Sequence, residues 1–125
     1  MTLEQLQEIF PDATAETWHQ HPNGGGWVQN TAHVDESAYV GKYALVFENA
    51  RVSENAWVSG NAKVSGNARV YGNALVSENA WVCGDAKVSE AAKVYRDARI
   101  FGNAWVSGNT RVLGNAWVSG GMITS

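Results

Sequence analysis

A single cysteine, Cys83, excludes a disulfide within the chain and fits a reducing compartment. Long apolar runs of the kind that span membranes are also missing. The opening MTLEQLQEIF lacks the basic, apolar and small-residue layout of a secretory signal. The expectation is a soluble cytoplasmic protein. Leu, Ile and Phe are scarce, and Ala and Val supply most of an apolar content of 45 %. Side chains this small cannot fill a wide core, so the core must be narrow. Charge is sparse as well, at 17 % of residues and net −3. Glu4, Glu8, Asp12 and Glu16 fall in the first 24 residues, which hold no Lys or Arg, leaving 9 basic and 8 acidic groups for the rest. That near-neutral remainder excludes a general nucleic-acid binder. The balance is that of one globular domain.

What the chain has in abundance is a six-residue repeat. Val28, Val34, Val40 and so on to Val118 recur at intervals of six, with Ile100 in one place. Two residues before each stands Ala, except Gly26 and Thr110. This makes sixteen hexads, residues 25–120, without insertion. Six residues turn an α-helix through about 600°, so the Val residues would spiral around it and define no face. In a strand, Ala and Val two apart point the same way. Ala-x-Val is therefore a short strand with x outward, and three residues remain for a corner. Gly, Asn and Asp, common there, tolerate positive φ. Three such sides close a coil of 18 residues, and the 96 repeat residues make about five coils. Stacked at ~4.8 Å, they form a prism roughly 25 Å tall.

The spacing, an aliphatic residue followed four places on by a small one (Val58 to Ala62, Val64 to Ala68), resembles the hexapeptide-repeat proteins. The resemblance spans residues 25–120 and implies an all-β fold, a left-handed parallel β-helix, commonly trimeric. NGGGWV followed by NARVSENAWVSGNAKVSGNARVYGNA also resembles repeat proteins of bacteria and their phages. The fold hosts acyltransferases, γ-class carbonic anhydrases and scaffolds alike, so it does not name a function.

Outside the coils, residues 1–24 read as a cap and connector. Thr2 and Gln5 fit a capping box, Leu3, Leu6, Ile9 and Phe10 an apolar face, and Pro11 a stop. The helix is expected to lie across the first coil as a lid, with another turn over residues 12–18 and HPNGGG as a flexible connector. Residues 121–125 form a tail in which Met122 is expected to plug the last coil.

Outward residues 18 apart should stack. One side carries Tyr39, Trp57, Leu75, Lys93 and Arg111. The second carries Leu45, Lys63, Trp81, Arg99 and Trp117, with Phe47, Cys83 and Phe101 beside them. The third carries His33, Arg51, Arg69, Lys87 and Trp105, with Tyr71. The Tyr39–Trp57–Leu75 row is expected at an oligomer or partner interface. Self-stacking within the sheet is the plainer alternative. Trp81, Arg99 and Trp117 are also expected at a partner or oligomer interface, with cation–π interleaving extended by Lys63, or a stacking platform for sugars or bases, as alternatives. Arg51, Arg69 and Lys87 form a basic row that could hold an anion, or be neutralised by Glu54 and Glu90 as a solvated face.

Catalysis finds little support in these residues. Enzymes of the resembling family place a catalytic His at a subunit boundary, often with a protruding loop. Here no His follows His33, and no loop interrupts the coils. The γ-class anhydrases need three well-spaced coil His, and His19, His21 and His33 do not match. The Gly-rich NGGGW precedes a strand and lacks a P-loop Lys. Cys83 has no activating neighbour in sequence. Neither cofactor nor metal is expected. The reading is a non-enzymatic, self-associating scaffold or protein-binding module, with a trimer favoured. A phage accessory or inhibitor protein working in the host cytoplasm fits the likeness. The alternatives are an acyltransferase-like enzyme using His19, His21 or His33, and glycan or nucleotide binding on a Trp ladder.

Overall fold

Backbone hydrogen bonds run along the prism axis and join each coil to the next. Trp57 N–H donates to Ala74 O at 2.9 Å, Ser59 N–H to Val76 O at 2.9 Å, and the corner Asn61 N–H to Glu78 O at 2.8 Å. The same three bonds recur from hexad to hexad. They build a parallel β-solenoid of about five coils in a computed structural model that describes residues 1–124.

Three sheets form the sides. The first stacks the strands beginning at Tyr39, Trp57, Leu75, Lys93 and Arg111; the second those at Trp27, Leu45, Lys63, Trp81, Arg99 and Trp117. The third stacks His33, Arg51, Arg69, Lys87, Trp105 and Met122. Within the sixteen hexads the register pairs residues 18 apart, for example Trp57 with Leu75 and Val58 with Val76. Ala and Val point inward, and from Ala38 to Val106 they are wholly buried in one continuous core.

Corners carry the backbone's special demands. Most close with a bond such as Ala62 N–H to Ser59 O, 3.2 Å, and from Glu48 to Gly114 every corner contains a residue of positive φ. Gly fills that place in most corners, as at Gly66, φ +66°. The sequence reading expected Gly, Asn or Asp there, yet Glu48, Glu54, Glu78, Glu90 and Arg96 adopt it too. A side chain in this region costs roughly 1–2 kcal/mol. Two of the Glu residues gain something in return. Glu48 Oε1 accepts from Gly66 N–H at 3.0 Å and Glu54 Oε1 from Gly72 N–H at 3.3 Å, capping corner amides of the next coil.

The two ends differ from expectation and from each other. Helix α1, Leu3–Ile9, has the capping box between Thr2 and Gln5, but it does not lie across the first coil. Leu6 is fully buried against the outer face of the second side, in a cluster with Trp18, Trp27, Leu45 and Phe47. The reason is in the repeat itself. That face presents large apolar groups outward, whereas the prism end offers only the small rim of an Ala/Val core.

The edge is covered by the segment that follows. Strand β1, Trp18–Gln20, pairs antiparallel with strand β2, Trp27–Gln29, closing the top of the second side. The HPNGGG stretch is no loose connector, because it serves the top of the first side. His21 Nε2–H donates to Ala38 O at 2.8 Å, joined by Asn23 Nδ2 at 3.1 Å. Gly26 N–H donates to Val40 O and Val40 N–H to Asn23 O. Gly24, φ +111°, passes so close that a Cβ there would collide with the Val40 carbonyl.

At the other end the Arg111, Trp117 and Met122 strands are the last of their sheets. Met122 does not plug the core. It pairs with Trp105 at an outward position and is 62 % exposed, while Ile123 takes the inward place opposite Val106. Ser125 lies outside the described residues.

Gly24→Ala is expected to cost about 2 kcal/mol or more, through φ strain and collision. Gly114→Ala, with φ +67° and open space around its Cβ, should cost nearer ~1 kcal/mol. Urea unfolding of both variants checks the order.

Candidate functional site

The outer surface is columnar, since each outward side chain sits one strand above its neighbour. Whether a tryptophan is fixed or free depends on two residues in the coil before it. Trp81 Nε1–H donates to Ser65 Oγ at 2.8 Å, and Lys63 Nζ lies 5.4 Å from the indole. Trp105 repeats this with Ser89 at 3.0 Å and Lys87 at 5.2 Å. Both serines are buried and both rings half-buried. The signal is legible once known: Lys eighteen and Ser sixteen residues before a Trp. Trp57 and Trp117 have Tyr39 and Gly41, or Arg99 and Phe101, in those places. They remain 47 % and 65 % exposed.

On the first side Trp57 lies flat on Tyr39, ring centroids 4.0 Å apart and planes 18° from parallel. Leu75, half-buried, follows in register. Such a stack is worth ~0.5–1.5 kcal/mol beyond its buried area. Between these two neighbours Trp57 keeps 47 % of its surface exposed, and its indole N–H has no partner among the described residues.

On the second side the upper half is covered by α1, which the sequence reading did not foresee. Below it the Arg99 guanidinium sits between Trp81 at 5.8 Å and Trp117 at 5.3 Å. Phe101 meets Trp117 edge to face at 6.0 Å. With Cys83 these residues line a shallow apolar hollow of about 220 Å³. Burial pushes the Cys83 thiol up, against the opposing pull of Arg99. A thiol so placed is a weak nucleophile at neutral pH.

On the third side Arg51, Arg69 and Lys87 stack in register. The expected neutralisation by Glu54 and Glu90 is absent. The sole ion pair among the described residues is His33 Nε2 to Asp35 Oδ1 at 2.9 Å, and Glu54 turns its carboxylate to the Gly72 amide.

The three histidines do not converge. His19, on β1 at the second side, bonds Asn30 Oδ1 through Nδ1 at 2.7 Å. His21 is buried and spent on the Ala38 carbonyl. His33 faces out from the third side beside Asp35. No group of three His, Cys, Asp or Glu among the described residues is placed to hold a metal. Among the described residues no helix is long and apolar enough to cross a membrane.

A family model described as the YdcK beta solenoid repeat matches residues 62–78, 68–84 and 98–114. Each matched stretch is close to one coil, so the likeness is to a repeat β-helix family and concerns fold. No curated protein matches the chain, and no solved structure does.

Asp35 gives a pH prediction. The Glu54 backbone N–H, then His33, hold its carboxyl below the ordinary 3.8, outweighing partial desolvation. A depressed native pKa stabilises the fold above the unfolded pKa, and that stability is lost as pH falls through the native value. Asp35→Asn should therefore be less stable than wild type at pH 7. The gap should narrow as pH falls below 3.8 and close once the carboxyl is protonated in both native and unfolded chains. Urea midpoints measured across pH 7 to 2.5 test it, and a constant gap would contradict it.

Proposed function

We propose that the protein is a scaffold that works by association, with the first side as its interface and a second copy of itself as the occupant. The observation that carries this is Trp57, a large apolar ring stacked on Tyr39 and still about half exposed to solvent. Two other tryptophans of the same repeat are half-buried and bonded to serine, so the exposure of Trp57 departs from that pattern. A ring fixed in advance loses little conformational freedom when a partner covers it. Leu75 extends the apolar surface along a flat sheet, a shape that suits another flat sheet.

The hexapeptide-repeat resemblance favours a trimer, in which each copy would use the face identically. The likeness to phage repeat proteins extends the reading to an accessory or inhibitor protein that acts by occupying a surface rather than by turnover. The second side supports a lesser reading. The hollow beside Trp117 and Phe101 has the aromatic floor that sugars and bases stack on, and quenching of tryptophan fluorescence by such a ligand would favour it.

Light scattering after size exclusion tests the main proposal on wild type and Trp57→Ala. Truncating a central aromatic anchor typically costs about 2–4 kcal/mol, or some 30- to 1,000-fold in affinity. The expected result is a discrete wild-type oligomer that Trp57→Ala dissociates. A wild type still monomeric at about 100 µM, a concentration that as a Kd corresponds to ~5.5 kcal/mol, would overturn self-association and leave the row for a foreign partner.

A further inference from the structure

The third side carries a set of charges that the chain leaves uncompensated. Arg51 pairs directly with Arg69, and Arg69 with Lys87. Like charges directly opposite on adjacent strands, about 5 Å apart, destabilise a sheet. No neighbouring carboxylate, Glu90 included, forms an ion pair with the row among the described residues, and three of them hydrogen-bond elsewhere. Asp35 holds His33 and the Glu54 N–H. Glu54 holds the Gly72 N–H. Asp85 accepts from Asn67 Nδ2 at 3.3 Å. Lys87 rests over the Trp105 ring, but Arg51 and Arg69 have neither an acid nor an aromatic ring.

The surface on both flanks is concave. One groove of about 310 Å³ runs beside the row and is walled by His33, Ser53, Glu54 and Tyr71. Another of about 380 Å³ lies on the opposite flank, walled by Asn49, Asn67 and Asp85. Each is at the lower end of the range for small-molecule sites. Two guanidiniums and an ammonium in line, at the strand pitch, present their donors to one extended anion. Arg forks bind phosphate oxygens in pairs, and Lys adds a point charge.

We propose that this row binds a linear oligophosphate, with Arg51, Arg69 and Lys87 each meeting phosphate oxygens along the chain. Binding removes the repulsion that the folded sheet otherwise carries. The phosphate chain comes either alone or as part of a nucleoside polyphosphate. In the second case the Tyr71 ring at the groove wall is the group available to stack on the base.

The test is calorimetric titration of the full chain with sodium tripolyphosphate at 50 and 150 mM salt. Wild type, Arg69→Ala and Arg111→Ala are compared, the last removing a cation from a different side. Circular dichroism confirms that each variant is folded. The expected result is one site per chain, weakened by salt, at least tenfold weaker in Arg69→Ala and unchanged in Arg111→Ala. No binding by wild type, or equal loss in Arg111→Ala, overturns the proposal. A parallel titration with a nucleoside triphosphate separates the two sources. Tighter binding than tripolyphosphate, with the advantage lost in Tyr71→Ala, assigns the nucleotide. Equal binding, still dependent on Arg69, assigns the phosphate chain alone.

Discussion

Every other feature of this molecule depends on the hydrogen-bond ladder that ties each coil to the one below. A two-residue strand has almost no stability by itself, and none of these strands meets its neighbour in sequence. Each bonds to the strand 18 residues away, so the coils hold only as a stack. The ladder requires identical hexads, because an inserted residue would shift every later Ala and Val off the core. It also requires corners tight enough for adjacent coils to touch, which favours Gly at the positive-φ place, while Glu48 and Glu54 in that place cap an amide of the next coil.

The same constraint organises the surface. Outward side chains repeat at the strand pitch, so the exterior is read down columns rather than along the chain. A lysine and a serine in one coil fix a tryptophan in the next, and with a tyrosine and a glycine in those places Trp57 stays about half exposed. Three cations in one column repel unless something outside the chain joins them. The candidate interface and the candidate anion row are thus both departures from a column pattern that elsewhere satisfies itself.

The repeat made the fold legible in sequence, since a period of six admits a strand and a corner and little else. Column membership was legible too, because residues 18 apart had to meet. What escaped the reading lies outside the repeat or depends on orientation. Helix α1 docks beside the coils because Leu45 and Phe47 give it an apolar seat, and neither is marked as such by periodicity. His21 and Asn23 looked like loop residues because their role is to satisfy a carbonyl far away in sequence. Met122 and Ile123 differ by one place in register, which decides that the isoleucine faces in. The carboxylate of Glu54 could reach either Arg51 or the Gly72 amide, and composition does not say which.

The ladder also makes the two ends unequal. Above the first coil, the β1 strand and the His21–Gly26 segment satisfy the edges of the second and first sides. Below the last coil, the Arg111 and Trp117 strands have no strand beneath them. Amide hydrogen exchange followed residue by residue tests this most directly. The account predicts that Val40 and Gly26 exchange as slowly as the central amides of Trp57, Leu75 and Trp81, while Arg111, Leu113 and Trp117 exchange far faster. Equal protection at both ends, or rapid exchange at Val40 and Gly26, would contradict it.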